Sequence, residues 1–210
     1  IDLGVDHPIS DIDAYQNRLY VTVDSSPDSN LFIYNIENHE NPVLLGSLDT
    51  TSVSAGPNAI AVATSSTGNF AYIANSYGSD FNTCKAKPYN PPTQSNCAQL
   101  QVIDITNPVS PSTVLNFLIP TTSPSSVTGS GGGAIGKSIL YKDGYIYLGL
   151  SKTSTGPEFN IIDVHERPMN PRWVGGYQTG NAVNAIYVKG SYAYLATPNS
   201  EELTVLNISN

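Results

Sequence analysis

One six-residue phrase occurs four times in the chain. It reads Leu31-Phe-Ile-Tyr-Asn35-Ile36, Leu100-Gln-Val-Ile-Asp104-Ile105, Phe159-Asn-Ile-Ile-Asp163-Val164 and Leu203-Thr-Val-Leu-Asn207-Ile208. Each copy is a strand pattern with Asp or Asn in fifth place, and each follows a Tyr-led strand: Tyr20-Val-Thr-Val, Tyr72-Ile-Ala-Asn, Tyr147-Leu-Gly-Leu and Tyr194-Leu-Ala-Thr. Further upstream stand Ile12, Ile60, Ile139 and Ile186, with Asn17, Gly68-Asn69, Asp143-Gly144 and Gly190-Ser191 as tight turns between. A fourth strand follows an Asn/Pro turn ending at Pro42, Pro111 and Pro171: Leu44-Leu-Gly-Ser-Leu, Val114-Leu-Asn-Phe-Leu and Trp173-Val-Gly-Gly-Tyr. A unit of this size cannot bury two apolar sheet faces alone, so its neighbours must cover them.

These units predict an all-β chain, a β-propeller of four blades with four antiparallel strands each. The blades fall at about 9–49, 58–119, 137–178 and 184–210 within a single domain, 1–210. The last unit stops where its fourth strand should begin, and Leu3-Gly-Val5 matches Leu45-Gly-Ser47 and Val174-Gly-Gly176. The expectation is that residues 2–6 complete the last blade and close the ring; the competing reading is a segment of a larger propeller.

The phrases Leu100-Gln-Val-Ile-Asp-Ile-Thr-Asn-Pro, Val174-Gly-Gly-Tyr-Gln-Thr-Gly and Ala193-Tyr-Leu-Ala resemble the LVIVD-repeat β-propeller family. The likeness spans the chain outside 76–99 and 120–135. It implies a bacterial or archaeal surface or secreted propeller, and it brings no catalytic motif.

Charge narrows the function. The chain has 9 Lys and Arg against 17 Asp and Glu, a net charge of −8, and no basic cluster longer than two residues. Nucleic-acid binding draws its affinity from cationic contacts to phosphate, so no nucleic-acid partner is expected. No apolar run approaches the length of a membrane span, so direct membrane insertion is not expected of this segment. Cys84 and Cys97 lie in one polar stretch without a nearby His to complete a zinc site. They are read as a disulfide, which implies an extracytoplasmic setting, at the cell surface or secreted.

Two insertions break the regularity, at 76–99 within the second unit and 120–136 after it, both on one face of the predicted ring. Long loops on a rigid scaffold are where binding tends to reside. The first carries Tyr77, Asp80, Phe81, Lys85, Lys87 and Tyr89 as candidate contacts. On the same face the repeat alignment places Ser10, Asn58, Lys137 and Asn184 around the channel mouth, where they could hold a small anion or a sugar.

Other motifs are weaker. Gly131 to Ser138 matches the Walker A pattern but lacks its preceding strand and following helix, and it reads as the start of a strand. Asp24, Ser26, Asp28 and Asn30 resemble the opening of a calcium loop, without its sixth-position Gly or twelfth-position Glu; the same residues are ordinary in a turn. No cofactor is expected, calcium at this loop being the alternative. Asp11 and Asp13 are read as alternating about their strand, so that no carboxylate pair faces the channel, and His7, His39 and His165 fall in separate connections.

The resulting expectation is a non-catalytic extracytoplasmic module for binding or surface display. Its partner would be a glycan, a surface protein or a subunit of an appendage such as a pilus, in an adhesive role. The alternative is a propeller hydrolase, lactonase- or glycosidase-like, with a site at the channel mouth.

Overall fold

A computed structural model of the chain describes residues 8–24, 29–50, 56–75, 99–117, 119, 135–152, 156–198 and 202–209. Everything described is strand, turn or bend. Among these residues no helix is long and apolar enough to cross a membrane.

Among the described residues, fifteen strands form four antiparallel sheets in chain order. The first holds β1 (Ile9–Tyr15), β2 (Arg18–Val23), β3 (Leu31–Asn35) and β4 (Val43–Leu48). The second holds β5 (Pro57–Ser65), β6 (Gly68–Asn75), β7 (Leu100–Asp104) and β8 (Ser112–Phe117). The third holds β9 (Gly136–Lys142), β10 (Tyr145–Leu150), β11 (Phe159–Asp163) and β12 (Arg172–Tyr177). The last holds, among the described residues, β13 (Ala185–Lys189), β14 (Tyr192–Ala196) and β15 (Leu203–Asn207). Each pairs with its sequence neighbours, so every sheet is a meander, and β1, β5, β9 and β13 pack side by side in that order.

The repeat is visible bond by bond. Ile36, Ile105, Val164 and Ile208 donate their backbone N–H to Asn17, Asn69, Gly144 and Ser191 at 2.8–3.0 Å, tying the third strand to the first turn in every unit. The Asp/Asn column explains itself equally well. Asn35, Asp104, Asp163 and Asn207 each accept, through Oδ1, the N–H two residues on, at 2.8–3.0 Å. The side chain takes up a backbone donor that the ending strand has no partner for. The turns need left-handed backbone: Asp143 and Gly144 have φ of 50° and 81°, values at home in a type I′ hairpin.

The core lies between sheets. Tyr20, Leu31 and Ile33 pack with Ile60, Val62, Ala71 and Ile73; Tyr72, Leu100 and Val102 pack with Ile146, Leu148 and Ile162; Tyr147 and Phe159 pack with Val183, Val188 and Leu195. A cross-strand row carries each junction: Asp13–Tyr20–Ile33, Ala61–Tyr72–Val102, Leu140–Tyr147–Ile161. The fourth copy of that row, Tyr187–Tyr194–Val205, has no following sheet over it among the described residues, where Tyr187 and Val205 are 61% and 50% exposed. Residues 2–6, expected to supply the fourth strand here, lie outside the described residues.

Candidate functional site

The polar side chains of β1, β5, β9 and β13, which pack side by side, are largely spent on joining sheets. Ile60 N–H donates to Asp11 Oδ2 at 2.9 Å and Val62 N–H to Asp13 Oδ2 at 2.7 Å. The other oxygen of each carboxylate accepts the next residue's N–H, Ile12 at 2.9 Å and Ala14 at 2.7 Å. The expectation that Asp11 and Asp13 alternate about the strand is therefore wrong: residues two apart on a strand share a side, and both reach β5. Burial raises the Asp13 pKa, the N–H groups of Val62 and Ala14 oppose the rise, and the nearby Asp11 adds to it.

Of the channel-mouth residues, Asn58 Nδ2 donates to Gly136 O at 2.6 Å, linking β5 to β9. Ser10 Oγ donates within its own sheet to Thr22 Oγ1 at 3.0 Å. Lys137 and Asn184 are exposed. Ser138 Oγ and Lys142 Nζ donate to Val183 O (2.8 Å) and Val188 O (2.9 Å), linking the third sheet to the fourth. Gly136, Lys137 and Ser138 of the Walker-like stretch lie in β9, with no helix after them.

The candidate contacts Tyr77, Asp80, Phe81, Lys85, Lys87 and Tyr89, with Cys84 and Cys97, lie outside the described residues. The stems of the two insertions do not. Asn75 N–H donates to Gln99 O at 3.0 Å and closes the first at its base. Gly136, where the second insertion re-enters the sheet, lies directly on that stem: a Cβ there would stand 2.6 Å from Gln99 O and 2.8 Å from Asn75 N. Glycine is what the position requires. The second insertion thus re-enters the sheet at the base of the first.

Of the calcium candidates, Ser26 and Asp28 are outside the described residues. Asn30 is fully buried, and its Oδ1 accepts from both Thr50 N–H and Oγ, each at 2.7 Å. Its equivalents act alike: Gln99 Oε1 accepts from Ile119 N–H at 3.2 Å, and buried Glu158 Oε2 from Thr179 and Gly180 N–H at 2.9 and 3.1 Å. This column, missed in the sequence because amide and acid mix within it, holds the chain as it leaves each fourth strand. The fourth equivalent, Glu202, is exposed. His39 and His165 are exposed on different units, and His7 is outside the described residues. Among the described residues no three His, Cys, Asp or Glu side chains gather as a metal centre.

Sequence reading also missed a cleft of about 300 Å³ between the second and third sheets, on the short-turn face opposite the insertions. The signal was present: Tyr141 interrupts an inner-strand column that is otherwise Ala14, Val62 and Val188, each paired with the residue before the repeated Tyr.

Among solved structures, the computationally designed Ika4 protein superposes with a TM-score of 0.57 at 10% identity, over 99% of this chain and 95% of its own. The designed Ika8 protein gives 0.56 at 10% identity, over 98% of this chain and 48% of that one. A putative 6-phosphogluconolactonase from Bacteroides uniformis gives 0.63 at 12% identity, over 96% and 53%. The chain therefore spans about half the length of the latter two, and at such identities the likeness speaks to fold alone. No curated protein matches the sequence. The LVIVD repeat family matches residues 96–118 and 180–210. Both segments cover the six-residue phrase in its second and fourth copies, and there the chain carries LVIVD repeats.

Proposed function

We propose that the chain is a non-catalytic, extracytoplasmic β-propeller module for binding or surface display, in an adhesive role or as part of an appendage such as a pilus. Residues 2–6 would complete its last blade. The observation that carries the binding reading is the contact of Gly136 with the Asn75–Gln99 stem, which supports both insertions acting as one surface on a scaffold otherwise regular in every unit. Insertion residues Tyr77, Phe81, Lys85, Lys87 and Tyr89, beside exposed Lys137, would offer aromatic anchors and a few cations to an acidic glycan or surface protein. A Cys84–Cys97 disulfide would preorganise that surface and so lower the entropy cost of binding.

Deleting residues 78–98 tests this. The four sheets should fold as before, and binding on a glycan or surface-protein array should vanish; binding that survives unchanged refutes the insertion as the site. The competing reading is a lactonase- or glycosidase-like hydrolase at the channel mouth. It has to contend with Asp11 and Asp13, whose oxygens are occupied by backbone N–H groups. Lactone hydrolysis by the purified chain, abolished by Lys137→Ala, would replace the binding proposal.

A further inference from the structure

The cleft between the second and third sheets is walled by Ala63, Thr64, Ser65 and Ser66 on one side and by Asp143, Gly144, Val164, His165 and Glu166 on the other. Tyr72 and Tyr141 lie across its floor, their rings parallel within 4° and 6.4 Å apart. Asp143, His165 and Glu166 are exposed at its rim. The imidazole is held there by three neighbours. It lies against Gly144, where a Cβ would collide with it; it meets the Tyr145 ring edge-on at 5.0 Å; and its Nδ1 is 3.6 Å from Asp163 Oδ1.

An acidic rim alone would be ordinary surface. The floor makes the difference. Tyr72 is 2% exposed, and no group among the described residues bonds its hydroxyl, which, unlike the Tyr20 hydroxyl of the junction before it, is not among the sealed-in unpartnered atoms. A largely buried phenol that opens onto a cleft has a hydrogen bond there that a guest can take over from water. At the junction between the first two sheets the counterpart of Tyr141 is Val62, packed in one cluster with Tyr20. At the cleft the position holds Tyr141, whose ring lines the floor beside Tyr72. Burial and the neighbouring Tyr141 raise the Tyr72 pKa, so the hydroxyl keeps its proton while its oxygen lone pairs stay free to accept.

The charges fix the guest. Asp143 and Glu166 are acidic, and among the described residues no Lys or Arg lines the walls. Lys142 is turned to Val188 O of the next sheet and Arg172 to Asp163. Two carboxylates, an unpartnered phenol oxygen and two electron-rich rings suit a cation that brings several N–H donors. We propose that this cleft binds a primary ammonium or guanidinium group, carried either by a lysine or arginine side chain of a partner or by a free polyamine.

Calorimetric titration of the full chain with n-butylammonium, arginine amide and spermidine tests the proposal. Saturable binding at one site is expected, weakened roughly tenfold or more in the Asp143→Asn/Glu166→Gln double variant through loss of charge-assisted hydrogen bonds. Tyr72→Phe should weaken it several-fold while the circular dichroism spectrum and Tm hold, and Tyr141→Val, which restores the aliphatic column, should close the site. Glu40→Gln, an exposed acid elsewhere on the same face, should change nothing. Preference for arginine amide points to a partner's side chain and preference for spermidine to a free polyamine. Absence of saturable binding, or an equal loss in Glu40→Gln, overturns the proposal.

Discussion

At the residue scale, the polar side chains of this protein act chiefly as substitutes for missing backbone partners. Asp163 shows it most fully: its carboxylate accepts His165 N–H at 2.9 Å and the Arg172 guanidinium at 3.1 Å. Burial alone would raise its pKa, but these donors and the charges of Arg172 and Arg167 outweigh it, and the net direction is down. A carboxyl that is more acidic in the folded state stabilises the fold above its unfolded pKa, and that contribution is lost as pH falls through the folded value. Urea titrations should therefore show an acid-side loss of stability below about pH 4, the ordinary range for Asp, that is reduced in Asp163→Asn. At neutral pH Asp163→Ala should cost about 1–2 kcal/mol, the net worth of the lost charge-assisted bonds. Asp13 runs the other way. Its raised pKa makes its carboxyl favour folding most below the unfolded value, and that part fades as pH rises through the folded one.

At the element scale, the unpaired edges of the inner strands decide how sheets join. β5 turns the N–H groups of Ile60 and Val62 toward β1, and Asp11 and Asp13 accept them in place of a strand. Asp11→Ala leaves the Ile60 donor unpaired at a part-buried edge and should cost about 1–3 kcal/mol in urea unfolding. Asp11→Asn keeps an acceptor oxygen and should cost less. Gly136→Ala is a sharper case, because the new methyl meets backbone at 2.6–2.9 Å rather than a side chain able to swing away. Overpacking of this kind should destabilise by about 1–3 kcal/mol, read as a lower Tm.

At the scale of the whole molecule, three junctions are covered and, among the described residues, the fourth row, Tyr187–Tyr194–Val205, is open beside a three-stranded sheet. Large apolar side chains gain roughly 1.5–3 kcal/mol each on full burial, which would be the drive for the proposed closure by residues 2–6 and the first sheet. By analogy with Phe32–Ser47 and Asn160–Gly176, the incoming strand should set Val5 opposite Thr204. Val5→Cys/Thr204→Cys, in a chain with Cys84 and Cys97 replaced by Ser, should oxidise within one molecule. Disulfide-linked dimers would instead mean strand exchange between copies, and no cross-link would refute closure by this segment.

Strand positions, the tight turns, the Asp/Asn column and the four-unit count were all legible in the sequence. They follow from local rules: alternation on a pleated strand, positive φ in a short turn, a side-chain oxygen two residues from an unpaired N–H. Tertiary structure alone decided what crosses between units. The reach of Asp11 and Asp13 to β5, the meeting of the two insertion stems at Gly136, and the cleft floored by Tyr141 and Tyr72 each join residues roughly 40 to 70 positions apart. No local pattern carries such contacts, because they depend on how two separately formed sheets pack face to face.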